Sequence, residues 1–255
     1  MTQTASTQSF LGLSDPLYAD LSFGVAGRAK RVIVGLNWTI VEGPDGAGLA
    51  HTPTRGTNGC RSLPNPGNYV GRDLASLASM IQSENIFEIT IAIAAINAFH
   101  NRYDQTGGAQ NGLDLVTANG TKTVVIGRFP GLDKRLPGAA VIEREPGPDD
   151  YPESAAETLL PACEHLIITA STLLDGALPR LLALAPQAFT VLLGPGAPLA
   201  QPLFQHGVDA ASGLIVEDVD ALAAIISEGG SVQGLKRHAR NLTILKADFE
   251  GTTRR

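Results

Sequence analysis

From residue 121 onward, short apolar runs alternate with helix-patterned segments. That alternation commits the second half of the chain to a parallel β-sheet with helical crossovers. Thr123–Gly127 (TVVIG), Ala139–Glu143, Leu166–Ala170 (LIITA) and Phe189–Leu193 (FTVLL) read as buried strands. Ser212–Val216 reads as a fifth, and Asn241–Lys246 as an added edge strand. Asp150 and Glu153 have capping-box spacing, which predicts a helix running through Leu160. Asp175 is placed to cap a helix carrying Leu178, Leu181 and Leu182. Further helices are predicted at Leu199–Gln205 and Val219–Ser227.

The first half reads as α+β. Arg31–Val41 is a β-branched run, bent or turned at Gly35, and Leu49–Thr54 is its returning strand after the turn EGPDGAG. Leu74, Leu77, Ala78 and Ile81 recur at helical spacing, as do Ile86, Ile89, Ile93 and Ile96. The length and alanines of that last segment favour a buried helix over a strand. The Gly- and Asn-rich stretch Asp104–Gly120 is the expected boundary, giving domains at 1–118 and 119–255.

Composition narrows the function classes. The chain has 255 residues, 44% hydrophobic and 17% charged, enough for two packed cores and unlike a disordered chain. Its 19 basic residues against 25 acidic ones leave a formal charge of -6, which disfavours broad binding to nucleic acid or anionic membranes. Two cysteines, Cys60 and Cys163, make no disulfide framework and no CxxC pair. The apolar stretch Ile86–Phe99 is interrupted by Glu88 and Asn97 and falls short of a membrane span. The opening MTQTASTQSF lacks a basic and an apolar region, so a cytoplasmic location is expected.

In open parallel sheets, ligands bind beyond the carboxyl ends of the strands. Four loops should gather there, beginning at Gly127, Glu143, Ala170 and Gly194. Arg128 is the candidate anion anchor, against the alternative of a surface arginine. Glu143 ends the second strand, where an acidic side chain can bond a ligand hydroxyl. Ser171 and Thr172 could hold an anion by their hydroxyls, or simply satisfy their own loop. Asp175 opens a helix whose N-terminus could attract charge. Gly194 and Gly196, in Gly-Pro-Gly-Ala-Pro, would form a shaped wall, because that loop lacks the lysine and hydroxyl of a phosphate-binding loop. From the first domain, Asn37 and Asn97 are candidates. An amide on the otherwise apolar helix around Asn97 needs a partner, either a ligand or a buried backbone group. Cys163 and His165 alternate onto one side of a strand, which is a weak metal signal.

Several segments together resemble a known family. They include Gly35-Leu36-Asn37-Trp38-Thr39, Gly48-Leu49-Ala50-His51-Thr52-Pro53, Ala94-Ala95-Ile96-Asn97-Ala98 and Ile126-Gly127-Arg128-Phe129-Pro130. Glu143-Arg144-Glu145-Pro146, Ile168-Thr169-Ala170-Ser171-Thr172-Leu173 and Gly194-Pro195-Gly196-Ala197-Pro198-Leu199 follow in order. From about residue 15 to 230 the chain resembles the putative heavy-metal chelation family. The resemblance implies an α/β fold: a Rossmann-like parallel-sheet domain preceded by a smaller α+β domain like the enolase N-terminal domain, with a cleft between them. It also implies handling of pterin-, flavin- or siderophore-like molecules, or metal chelation. The chain departs from the family pattern at Arg128, where a histidine is expected, and at Gly196-Ala197, where two hydroxyls are lost.

The expected partner is therefore a small anionic, chelator-like ligand in the interdomain cleft, bound by Arg128, Glu143 and the residues named above. A homo-oligomer is compatible with this, and no cofactor is specified. Two alternatives stand beside it: a metal-binding or metal-delivery protein, and a non-catalytic interaction subunit with a degenerate site.

Overall fold

The computed structural model describes residues 10–53, 62–120 and 122–250. The N-terminal domain is built on an antiparallel hairpin and meander. Strands β1 (Arg31–Val34), β2 (Trp38–Glu42) and β3 (Ala47–His51) form a three-stranded sheet in that order. Gly35 to Asn37 turn the chain between β1 and β2, so the long β-branched run is two strands rather than one. Helix α1 (Pro16–Ser22) precedes this sheet, and α2 (Leu74–Ala78) and α3 (Ile86–His100) follow it.

Helix α3 is the buried helix its sequence predicts. Ile89 through Ala98 are all buried, which explains why it shows no amphipathic stripe. The helix can lie close to β3 because position 48 is glycine. A Cβ there would sit 2.1 Å from the Ala94 carbonyl oxygen and 2.2 Å from the Ala98 nitrogen. Asn85 caps the helix, its side chain accepting from the Phe87 N–H.

The C-terminal domain carries a seven-stranded sheet. Its strands are β4 (Thr123–Ile126), β5 (Ala140–Glu143), β6 (Tyr151–Pro152), β7 (His165–Thr169), β8 (Phe189–Leu193), β9 (Ala210–Val216) and β10 (Ala239–Leu245). The spatial order is β10-β9-β8-β7-β4-β5-β6, parallel throughout except for the antiparallel edge strand β10. The chain starts in the middle at β4, runs out to β6, then returns to β7 and runs the other way. The order therefore reverses between β4 and β7, the topological switch point of a Rossmann-like sheet.

One expected element does not form as such. The segment from Asp150 through Leu160 is not a single capped helix. Tyr151–Pro152 pairs with β5, Glu153–Ala155 is a 3-10 turn, and only Ala156–Leu159 is α-helical. The cause is Asp150, whose carboxylate accepts from the Gly147 N–H and from the distant Arg128 instead of capping its own helix. Pro161 then prevents further α-helix beyond Leu160.

The two domains share one apolar core. Its largest cluster runs without a break from Leu17 and Ile93 in the first domain to Leu173 and Ile215 in the second. The Tyr18 hydroxyl donates to the Leu173 carbonyl at 3.1 Å. Gly35 lies against helix Val219–Ser227, where a Cβ would fall 2.3 Å from the Ile226 carbonyl oxygen. Residues Gly112–Leu115 pack on the sheet, with the Gly112 N–H donating to Ser212 Oγ. Among the described residues, no helix is long and apolar enough to cross a membrane.

Candidate functional site

The ends of β4, β5, β7 and β8 meet the N-terminal hairpin at a cleft of about 890 Å³. All four loops expected at the carboxyl ends of the strands reach it. Gly127 starts the first with φ +88°, a value that suits glycine. A Cβ there would lie 2.7 Å from Thr169 Cγ2, so the switch point admits no larger residue without movement.

Seven of the nine candidate residues line this cleft: Arg128, Glu143, Ser171, Thr172, Asp175, Gly194 and Gly196. Their contacts differ from a simple set of ligand donors. Glu143 Oε1 accepts from the Arg128 N–H at 2.5 Å, and Oε2 from the Arg144 N–H at 3.1 Å. Glu143 thus fixes the two neighbouring loops. The Arg128 guanidinium donates to both oxygens of Asp133, at 2.9 and 3.0 Å, and to Asp150 at 2.5 and 3.4 Å. Its pKa rises because of the hydrogen bonds to Asp150 and Asp133. An arginine so neutralised makes a poor anion anchor and a good brace for the rim.

Thr169 Oγ1 and Ser171 Oγ are 3.1 Å apart, and the Thr172 hydroxyl donates to the Thr169 carbonyl at 2.8 Å. The Thr172 hydroxyl therefore closes its own turn. Asp175 accepts from the Ala177 N–H at 3.0 Å and pairs with Arg144. Burial raises the Asp175 pKa, and the hydrogen bond from Arg144 offsets part of that rise. The helix that follows, Leu178–Leu184, is only seven residues long, so its dipole contributes little. Gly194 adopts φ +143°, and Gly196 packs closely on β3, where a Cβ would lie 3.2 Å from the Leu49 carbonyl oxygen.

Asn37 and Asn97 are not among the cleft-lining residues. Asn37 Nδ2 donates to the Gly229 carbonyl at 2.8 Å, and Asn97 Nδ2 donates to the carbonyls of Leu49 and Gly196, each at 2.8 Å. Both amides join the domains through backbone groups. The N-terminal domain instead contributes Trp38 and His51, paired directly across β2 and β3 with their rings edge-to-face at 5.6 Å. Desolvation lowers the His51 pKa. Asn37 ends the turn before β2 and Trp38 opens the strand, so the sequence pair alone does not mark which side chain reaches the cleft. Sequence reasoning also misses Arg144, because its role depends on Asp175, thirty-one positions away in the chain.

The Cys163 and His165 pair lies at the start of β7, at the opposite end of the strand from Thr169. Burial raises the Cys163 pKa, so its thiol is a poor metal ligand. Among the described residues, no group of three or more His, Cys, Asp or Glu side chains is placed to hold a metal ion.

Fold and cleft define a two-domain α/β protein whose concave surface sits at the switch point of a Rossmann-like sheet. The chain belongs to the putative heavy-metal chelation family: two family models of that description match residues 22–100 and 111–244. A protein of unknown function from Desulfitobacterium hafniense DCB-2, in the family matched by residues 111–244, has a similar crystal structure. It is 28% identical with a TM-score of 0.81, over 93% of this chain and 99% of that one. A second, from Pyrococcus horikoshii, is 21% identical with a TM-score of 0.72 over the same shares, and supports the fold alone. No curated protein matches the chain.

The family description implies a heavy metal, and the described residues do not fit a bare one. Soft metals favour thiolate and clustered imidazole ligands. Of the cleft carboxylates, Glu143 is engaged by backbone amides and Asp175 by Arg144, and among the described lining residues there is a lone histidine, His51.

Proposed function

We propose that the protein binds a small metal-chelating organic molecule in the interdomain cleft, and that this molecule supplies the metal's ligands. The observation that carries the reading is the cleft itself. Its volume of about 890 Å³ suits a small organic ligand, and it lies where Rossmann-like sheets bind theirs. Apolar side chains such as Ile93, Ile126 and Leu181 line it beside the hydroxyls of Thr169 and Ser171. That mixture suits an organic molecule better than a hydrated ion. Pterin-, flavin- and siderophore-like compounds all fall within this class.

Native mass spectrometry of freshly purified protein, with elemental analysis of the same sample, tests the reading. The expected result is a co-purifying organic mass with metal in step, lost in Ser171→Leu, which fills the cleft. The absorbance spectrum of the released compound separates pterin, flavin and siderophore chemistry. Stoichiometric metal without an organic mass would overturn the reading in favour of direct metal delivery. Protein empty by both methods would favour an interaction subunit.

A further inference from the structure

Two sheets leave four edges, and among the described residues three of them are covered or too short to pair. β6 is two residues long and ends in Pro152, which has no N–H to offer. Along the outer side of β10 runs the chain from Gln105 to Gln110. The Arg240 guanidinium donates to the Gln105 carbonyl at 2.6 Å, the Thr243 hydroxyl to the Gln110 carbonyl at 2.7 Å, and Thr243 pairs with Gly108. The outer edge of β3 faces α3 and the Gly196 loop. There the Leu49 carbonyl accepts from Asn97 Nδ2, and a Cβ on Gly196 would lie 3.2 Å from the same oxygen.

The fourth edge, β1, is different. It pairs with β2 on one side only. The Gly35 N–H donates to the Trp38 carbonyl, so alternation turns the backbone of Arg31 and Ile33 toward β2. The N–H and carbonyl groups of Val32 and Val34 then point outward, and neither bonds to another described residue. All four residues of β1 are partly exposed, whereas Thr39 to Val41 of β2 are buried. The usual deterrents to pairing are missing. The strand has no proline, the Lys30 ammonium donates to the Pro44 carbonyl, and Arg31 is paired with Glu42 and Asp220. Leu36, two residues beyond the strand, is 65% exposed.

We infer that β1 pairs antiparallel with β1 of a second copy of this chain. The edge is self-complementary about a two-fold axis at Ile33. In that register Val32 stands opposite Val34 of the second copy, and Val34 opposite its Val32. Each pair exchanges both of its main-chain hydrogen bonds, so the outward groups of both valines are satisfied. Ile33 meets its own counterpart, and Arg31 falls opposite Gly35. β-Branched residues therefore face each other and no like charges do, which favours the pairing. A contact of this kind closes on itself, as two-fold homodimers do. Two three-stranded sheets become one of six strands, with Leu36 close to the junction. The inference does not depend on what the cleft binds.

Sedimentation velocity and amide hydrogen exchange of the full chain, from about 1 to about 100 µM, test this. The expected result is a shift from monomer to dimer mass over that range, with exchange at Val32 and Val34 slowing about tenfold. Ile33→Cys tests the register. A non-hydrogen-bonded antiparallel pair brings its Cα atoms to about 4.5 Å, within disulfide reach. Under mild oxidation Ile33→Cys should form a covalent dimer, whereas Arg31→Cys and wild type should not. A chain that stays monomeric at about 100 µM overturns the inference and leaves the edge to a strand of another protein. A dimer whose Val32 and Val34 amides exchange as fast as the monomer's has its contact elsewhere, and overturns it too. So does a dimer in which Arg31→Cys crosslinks as readily as Ile33→Cys. The exchange measurement uses wild type alone, so it decides the matter even where a variant fails to fold.

Discussion

The side-chain amide of Asn97 donates a 2.8 Å hydrogen bond to the carbonyl of Gly196, crossing from the N-terminal domain to a loop that lines the cleft. The same nitrogen donates to Leu49 at 2.8 Å, and the residue is fully buried. One turn on, Asn101 donates to the Ala197 carbonyl at 3.0 Å and accepts from the Leu199 N–H at 2.8 Å. Asn97 on α3 and Asn101 at its C-terminal cap therefore hold the loop from Gly196 to Leu199 by its backbone.

Replacing Asn97 by alanine strands two buried carbonyls. Each costs about 1–3 kcal/mol when left without a donor, so Asn97→Ala should lose roughly 2–6 kcal/mol. Urea unfolding followed by circular dichroism measures it. A loss below about 0.5 kcal/mol would mean that the carbonyls find other donors and that the amide is no clamp.

Gly48 should tolerate no side chain. Backbone atoms of α3 lie within 2.2 Å of the Cβ that alanine would add, and backbone cannot rotate away as a side chain can. Gly48→Ala should force β3 and α3 apart and destabilise by about 3 kcal/mol or more. Soluble yield and melting temperature report it. A melting temperature equal to wild type would refute the close packing.

Gly127 makes a subtler prediction, because its crowding is local. Its φ of +88° strains any L-residue, and a Cβ would meet the Thr169 methyl at 2.7 Å. Gly127→Ala should cost about 1–2 kcal/mol from the left-handed conformation. It should also displace Thr169 and Ser171 in the cleft. Paired with Thr169→Ser, which removes the opposing methyl, it should regain part of the stability in urea unfolding. Purely additive effects in the double variant would show that the two residues do not touch.

Asp175 gives a pH dependence. Burial raises its folded pKa above the ordinary carboxylate value of 3.8. The folded state therefore holds this proton more tightly than the unfolded state does. The resulting stability is fully present below the unfolded pKa and is lost as pH rises through the folded one. Measured against Asp175→Asn across that range by chemical denaturation, wild type should lose relative stability as pH increases. The opposite slope would mean that the Arg144 hydrogen bond outweighs burial.

Much of the fold is legible in the sequence because its signals are local. The strands at Thr123, His165 and Phe189 are short β-branched runs between turn residues, and α3 declares itself by length and alanine content. The segment after Asp150 reads as one helix yet breaks up, because its capping residue has a better partner in Arg128, twenty-two positions earlier in the chain. No local pattern encodes that choice. The site divides in the same way. Sheet topology alone places the four loops, whereas the N-terminal side of the cleft depends on which residue of the Asn37–Trp38 pair reaches it. Arg128 stands out as a free cation in sequence, and only the approach of Asp133 and Asp150 in space neutralises it.

Gly108 and Thr243 exchange backbone hydrogen bonds of 2.8 Å in both directions, on the side of β10 away from β9. The tether between the domains thereby shields part of an outer strand that would otherwise invite pairing with another molecule. A protease nick in that tether would do more than sever two domains. It would loosen this guard and leave the outer edge of β10 open to pairing with another strand.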